Sequence, residues 1–345
     1  MLPRSAPQWL AHTYNGDNNP MRPHSSSRAG ALLLTMLCMA VATPAVAQED
    51  WPKAKPVTFV VGFGPGAFTD VMARVVAQKL GDLTGGNFVV ENKPGAGGNI
   101  ATGQVKRAAP DGYTVLVHSV AYAVNPSLYQ NAGYDAVKDF APLALGPRTP
   151  NIITVNPATP VKDLKELIDL SRKEKLNYAS SGIGTTTHLS IERLKAAAKV
   201  DITHVPYQPA QAITAVVAGH TQMSSTSMPP AVPMIKAGKL RAIAVTSAGR
   251  SALLPEVPSV TEFGYKEFDD YTWVGFFLPQ GTPQALVDRI NGQINRAMEL
   301  PDSREKFVQL GMESTKNTSA EFGTFLRSEV TKWAAVVKAT GAKAE

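Results

Sequence analysis

A single cysteine, Cys38, is the whole thiol content of the 345 residues. No intrachain disulfide can form, and a zinc site built from several cysteines is excluded. Charge is sparse: 34 Lys and Arg against 28 Asp and Glu leave a net +6, with charged residues at 18%. The basic residues are scattered, with no dense run interleaved with aromatics, so nucleic acid is not an expected partner. Only four histidines, His118, His188, His204 and His220, follow residue 47, and no pair has the H-x-x-x-H spacing of a helical metal site. The chain holds neither a G-x-S-x-G elbow nor a P-loop, and it shows no internal repeat or low-complexity tract. No metal, cofactor or catalytic residue is therefore expected. Hydrophobic residues make up 44%, which excludes wholesale disorder and, at this length, favours two domains.

The apolar run ALLLTMLCMAVAT (31–43) spans thirteen residues, whereas a membrane-crossing helix needs about twenty. It follows Arg22 and Arg28, ends at Pro44, and is succeeded by Ala45-Val46-Ala47. A basic segment, a short apolar segment and a small-x-small site are the parts of a secretory signal peptide. Cleavage is predicted after Ala47, so residues 1–47 read as an extension plus signal, with Met1 or Met21 as the start. Leu37 before Cys38 does not suit lipid attachment. Removal of the signal takes away the only thiol, which fits an oxidising compartment; a periplasmic location is predicted.

Beyond the signal, apolar strands alternate with amphipathic helices. VTFVVGF (57–63), NFVVE (87–91), YTVLVHS (113–119), IITVNP (152–157) and LNYAS (176–180) read as strands. Apolar spacing predicts helices over 69–80, 99–108, 161–174, 187–199, 283–300 and 319–339. The segment 201–247 continues the alternation. The fold class is α/β, with mostly parallel sheets flanked by helices.

In such sheets ligands bind outside the carboxyl ends of strands, beside helix N-termini. Two strand-to-helix loops stand out: GFGPGAFTD (62–70) and SSGIGTTTH (180–188). Each offers glycines and hydroxyls, and neither holds Lys or Arg. That combination suits an anion gripped by backbone amides and a helix dipole. Either loop alone is a tight turn with a Ser/Thr cap; one in each half of the chain points to a shared cleft. The first loop also mimics a dinucleotide fingerprint, with Glu91 about twenty residues on. Pro65 removes an amide there, and the spacing is G-x-G-x-G rather than G-x-G-x-x-G. A hydrolase with Ser181 as nucleophile and His188 as base remains an alternative, although nothing marks an orienting acid. Asp269–Asp270 reads as a solvated turn.

Several segments resemble the Bug (TctC-like) solute receptors of tripartite tricarboxylate transporters. They include KPVTFVVGFGPGAFTDVMAR (55–74), VVENKPGAGGNIA (89–101), APDGYTVLV (109–117), KLNYASSGIGTTTHLS (175–190), HVPY (204–207) and IKAGKLRAIAVTSAGRSALLPEVPSVTEFG (235–264). They run in the expected order over nearly all of the chain after residue 47. The resemblance implies a two-lobed, periplasmic-binding-protein-like fold joined by a hinge crossed twice, near 150 and 250. Lobe one would then be 48–150 plus 251–345, and lobe two 151–250. It implies a small organic carboxylate as ligand (a mono-, di- or tricarboxylate or an aromatic acid) and integral membrane transporter subunits as partners. A ligand-dependent partner of a membrane sensor is a further alternative. Carried over onto this chain, the ligand-binding residues are Gly66, Ala67, Phe68, Thr69 and Asp70 in the first loop, and Ser181, Gly184, Thr185 and Thr186 in the second. His118, Ser119 and Thr226 complete the set.

The chain departs from the family pattern at identifiable places. Ala67 replaces a glycine and Phe68 a small residue of the usual P-P-G-G-x-T-D loop. His118 replaces the glycine before Ser119, and Thr226 stands where many relatives carry Asp. QPAQA after Tyr207 differs from the common K-G-S-x-P. A cleft-facing Phe68 would favour monocarboxylates or flat aromatic acids; an inward-facing one would belong to the core.

Overall fold

The computed structural model describes residues 50–266 and 268–344. The apolar run, Cys38 and the cleavage site at Ala47 lie outside the described residues.

The first part of the chain winds as β1 (Val57–Val61), α1 (Phe68–Thr84), β2 (Phe88–Asn92), α2 (Asn99–Lys106), β3 (Thr114–Ser119) and α3 (Ala121–Leu128). β4 (Phe140–Val155) leads to α4 (Leu164–Ser171), β5 (Leu176–Ser180), α5 (Thr186–Ala198), β6 (Ile202–Pro206), α6 (Pro209–Val217), β7 (Met223–Ser227), α7 (Met228–Lys236) and β8 (Arg241–Val245). β9 (Tyr271–Pro279), α8 (Gln284–Glu299), α9 (Pro301–Gln309) and α10 (Ser319–Thr340) complete it. The α/β alternation expected from the apolar periods holds from β1 to β8, and three consecutive helices follow β9.

The strands run in the order β2-β1-β3-β9-β4-β7-β5-β6, with β8 also paired to β4. β1 pairs in parallel with β2 and β3, and β5 in parallel with β6 and β7. Every antiparallel pair involves β4 or β9. The sheet is thus mixed, two parallel halves joined through long connecting strands. The first half of β4 pairs with β9 as far as Pro150, while Asn151–Val155 pairs with β7 and β8. Each half of the sheet is covered on both faces. α1 and α8 pack on one side of the first half, α3 and α10 on the other. α4 and α5 cover one side of the second half, α6 and α7 the other. Strands buried on both faces have no polar side, so VTFVV is apolar but for Thr58 rather than alternating.

One feature runs against local propensity and another differs from the sequence reading. Residues 140–150 carry Pro142, Pro147 and Pro150, which argue against a central strand. They form the first half of β4 nonetheless, because the register shifts between Pro142 and Ala144 and again between Leu145 and Arg148. Those irregularities take up residues that cannot donate. The return crossing also comes later than 250. Leu254, Val257, Val260 and Phe268 are buried in the cores of the second half, and pairing with the first half resumes at Tyr271. The crossing therefore lies at Asp270–Tyr271.

Candidate functional site

Five helices begin around one cavity. Its lining comprises Ala67, Phe68 and Thr69 at the start of α1, Ser119 just before α3, and Ser181 with Thr185–Thr187 at the start of α5. Pro209 opens α6, Ser227 precedes α7, and Phe63 and Thr272 complete the wall. The residues come from both halves of the sheet. Eight of the twelve bear a hydroxyl and none is charged. Electrostatic attraction for an anion must then come from helix ends rather than from side-chain cations. α6 and α7 open with Pro209 and with Met228-Pro229-Pro230, which contribute dipole but few amides. α1 and α5 have ordinary residues in the first turn, where no intrahelical carbonyl reaches the amides of Phe68, Thr69, Thr186 and Thr187.

The first loop is held from behind. Asp70 is 3% exposed. Its carboxylate accepts from the Gly66 amide at 2.9 Å, from Asn92 Nδ2 at 2.9 Å and from Arg74 Nε at 3.0 Å. Burial opposes its ionisation, but Arg74, Gly66 and Asn92 together hold its pKa below the usual carboxylate value. Asp70 and Gly66 are absent from the cavity wall; they fix the loop that presents Ala67–Thr69. Thr69 is 2% exposed, lines the cavity, and its Oγ1 is enclosed without a hydrogen-bond partner. Phe68 has both fates open to it in sequence: it packs in the core beside α8 and also forms part of the wall.

The second loop is tied by its own hydroxyls. Thr185 Oγ1 donates to Gly182 O at 2.7 Å and lies 2.7 Å from Thr187 Oγ1, which accepts from the Ser181 amide at 3.0 Å. Gly184 is outside the wall; its amide points to His188 Nδ1 at 3.3 Å. That contact makes His188 Nδ1 an acceptor, and burial pushes the His188 pKa down to about 4. His188 stacks on His204, whose Nε2 contacts Ser180 Oγ at 2.6 Å. Among the described residues no hydrogen bond joins Ser181 to His188, so the dyad that a hydrolase would need is not assembled.

His118 and Thr226 are placed elsewhere than the sequence suggests. His118 is fully buried between Gly62 and Gly98; a Cβ on Gly98 would come within 2.1 Å of its Nε2. It fills space that two glycines leave, edge-on to Phe63, and burial lowers its pKa to about 4. Thr226 is buried within β7, opposite Ile152, with Oγ1 unpartnered. Strand alternation and the strand end bring its neighbour Ser227 to the cavity instead.

The floor is built at the two crossings. Thr272 Oγ1 donates to Asn151 Oδ1 at 2.7 Å and contacts Thr186 Oγ1, which also reaches Asn151 Oδ1 at 3.3 Å. Next to them Asp270 is fully buried, not solvated as the sequence suggested. It is paired with Arg193 at 2.7 Å and Lys332 at 3.3 Å, and Ser190 Oγ donates to it at 3.0 Å. Phe63, Thr187, Pro209, Ser227 and Thr272 were not singled out by the sequence; Thr187 and Phe63 lie inside the two loops that were. Among the described residues no cluster of His, Cys, Asp and Glu could hold a metal, and no helix is long and apolar enough to cross a membrane.

The family model described as "Tripartite tricarboxylate transporter family receptor" matches residues 72–342. The protein BugT of Bordetella pertussis is 33% identical over 319 residues, covering 90% of this chain and 98% of its own. The solved periplasmic binding protein BugD is 34% identical with a TM-score of 0.80, covering 84% of this chain and 99% of its own. An R. palustris protein solved with adipate is 31% identical with a TM-score of 0.82, covering 85% and 99% respectively.

Proposed function

Because the chain belongs to the receptor family of tripartite tricarboxylate transporters, we propose that it captures a small organic carboxylate in the cavity between its two lobes and delivers it to the integral membrane subunits of such a transporter. The observation that carries this reading is the uncharged cavity wall: eight hydroxyls and the starts of five helices, with the orphaned Thr69 hydroxyl among them. A carboxylate accepting from the first-turn amides of α1 and α5 and from Thr69 and Ser181 would satisfy donors that otherwise go without an acceptor.

The binding set is Ala67, Phe68, Thr69, Ser119, Ser181, Thr185 and Thr186, widened by Thr187, Ser227 and Thr272. Asp70, Gly66, Gly184 and His118 act by shaping the loops. Export proceeds through the signal at 31–47, with cleavage after Ala47 and a periplasmic mature protein. The lobes meet at Pro150–Asn151 and Asp270–Tyr271, and closure about these crossings would bring the two loops onto one carboxylate.

A thermal-shift screen of the purified protein against mono-, di- and tricarboxylates and aromatic acids tests the reading, since binding to the native state raises the melting temperature by mass action. Stabilisation by at least one acid, lost with its methyl ester, is expected. No shift with any acid, or equal shifts with acid and ester, would refute carboxylate capture. Uptake of that acid should also cease when the two integral membrane subunits are deleted; persistence would point to a sensor partner instead.

A further inference from the structure

The cavity adjoins a second, larger chamber, and Phe63, Ser181 and Thr185 line both. The first lobe contributes the glycine-rich strip 95–98 and Tyr129; the second contributes Ile183, Tyr207, Gln208 and Gln211. Two details mark the chamber as built for contact. Ala96 holds φ at 47°, a conformation that a residue with a Cβ rarely adopts, and such strain is typically kept where a loop meets a ligand. Gln208 reaches across from the second lobe, its Oε1 3.9 Å from where a Cβ on Gly64 of the first loop would sit.

The two chambers differ in chemistry. Neither holds Lys, Arg, His, Asp or Glu; the inner one collects five helix starts, whereas the outer one has aromatic rings, side-chain amides and backbone. Apart from the shared Thr185, the outer one meets helix starts only at the caps Gly98 and Gln208, the second leading into Pro209, which has no amide hydrogen. α2 begins beside the strip at Asn99, yet the lining ends at Gly98. A second carboxylate there would be partly desolvated with neither a cation nor a converging set of first-turn amides to meet it, which is costly. A neutral flat group could stack on Tyr129 or Tyr207 and exchange hydrogen bonds with Gln208 and Gln211.

We propose that the outer chamber is a second subsite that takes the uncharged tail of an elongated monoanion, so that the preferred ligand is a carboxylate bearing a neutral, hydrogen-bonding aryl end. The proposal rests on carboxylate capture in the inner cavity, and the test separates the two. Titration calorimetry would compare propanoate, 3-(4-hydroxyphenyl)propanoate and adipate on the full protein and three variants. Wild type is expected to bind the aryl acid at least tenfold more tightly than adipate. Gln211→Lys, at an exposed helical position, should invert that preference, and Tyr129→Ala should weaken the aryl acid about tenfold while leaving propanoate unchanged. Thr69→Val should weaken all three. If none of the acids binds, or if Thr69→Val changes nothing, inner-cavity capture itself fails. If adipate binds wild type more tightly than the aryl acid, or if Gln211→Lys and Tyr129→Ala leave the rank order intact, only the outer-chamber assignment falls.

Discussion

Replacing Thr69 by valine exchanges one hydroxyl for a methyl of nearly the same size at a site where the two states of the protein should respond with opposite sign. In the free protein Oγ1 is enclosed and unpartnered, and the residue is 2% exposed. An unpaired buried hydroxyl costs about 1–3 kcal/mol, and threonine and valine have similar helix propensities. Thr69→Val should therefore raise the unfolding free energy of the free protein by about 1 kcal/mol. With a carboxylate bound, the same hydroxyl would donate a charge-assisted hydrogen bond worth roughly 1.5–3 kcal/mol. Its loss should lower affinity by roughly tenfold to a hundredfold. Urea unfolding of the free protein gives the first quantity, and calorimetry with the tightest acid of the carboxylate panel gives the second. A variant that is less stable when free, or that binds within twofold of wild type, would show that the hydroxyl is not aimed at the ligand.

Three further outcomes are expected. Asp70→Ala takes the acceptor from the Gly66 amide and one of two acceptors from Asn92 Nδ2, which keeps Phe63 O; two part-buried charge-assisted bonds at roughly 1–1.5 kcal/mol each, with little added for half-exposed Arg74, predict a loss of about 2 kcal/mol in urea unfolding. A loss below about 0.5 kcal/mol would mean the first loop is held by something else. Phe68→Ala removes a ring that is both core and wall, so it should cost about 3–5 kcal/mol and admit bulkier acids; unchanged ligand range in the carboxylate screen would assign Phe68 to the core alone. Buried His118 and His188 are held neutral, with pKa values pushed down to about 4, so between pH 6.5 and 4 the unfolded chain binds more protons than the folded one. Their contribution to stability should fall as pH drops through that window, by up to about 2 kcal/mol per histidine between pH 6.5 and 5, and further losses below pH 4 come from Asp70, whose pKa is lowered, and from His204, whose pKa burial pushes down to about 3. Urea unfolding at stepped pH measures this, and His188→Gln should flatten the slope; an unaltered slope would show that His188 does not contribute.

Local chemistry was legible in the sequence because it acts over a few residues. The β-branched runs, the apolar helical periods and the two glycine-hydroxyl loops at 62–70 and 180–188 each declare themselves within one window, and both loops do come to one cavity. The α/β class follows from their alternation. What depends on distant partners was not legible. Residues 140–150 look too proline-rich for a strand until β9 and two register shifts accommodate them. Asp270 looks like a solvated turn until Arg193 and Lys332, carried by helices far apart in the chain, close over it. Ser227, Pro209 and Thr272 have no local mark of a site, and His118 gave no sign that Gly62 and Gly98 would enclose it. Backbone propensity and periodicity are set by neighbours along the chain, so sequence alone determined the elements and the anion-suited loops. Which side chains share a cavity depends on where strands cross between the two halves, and only the tertiary structure decides that.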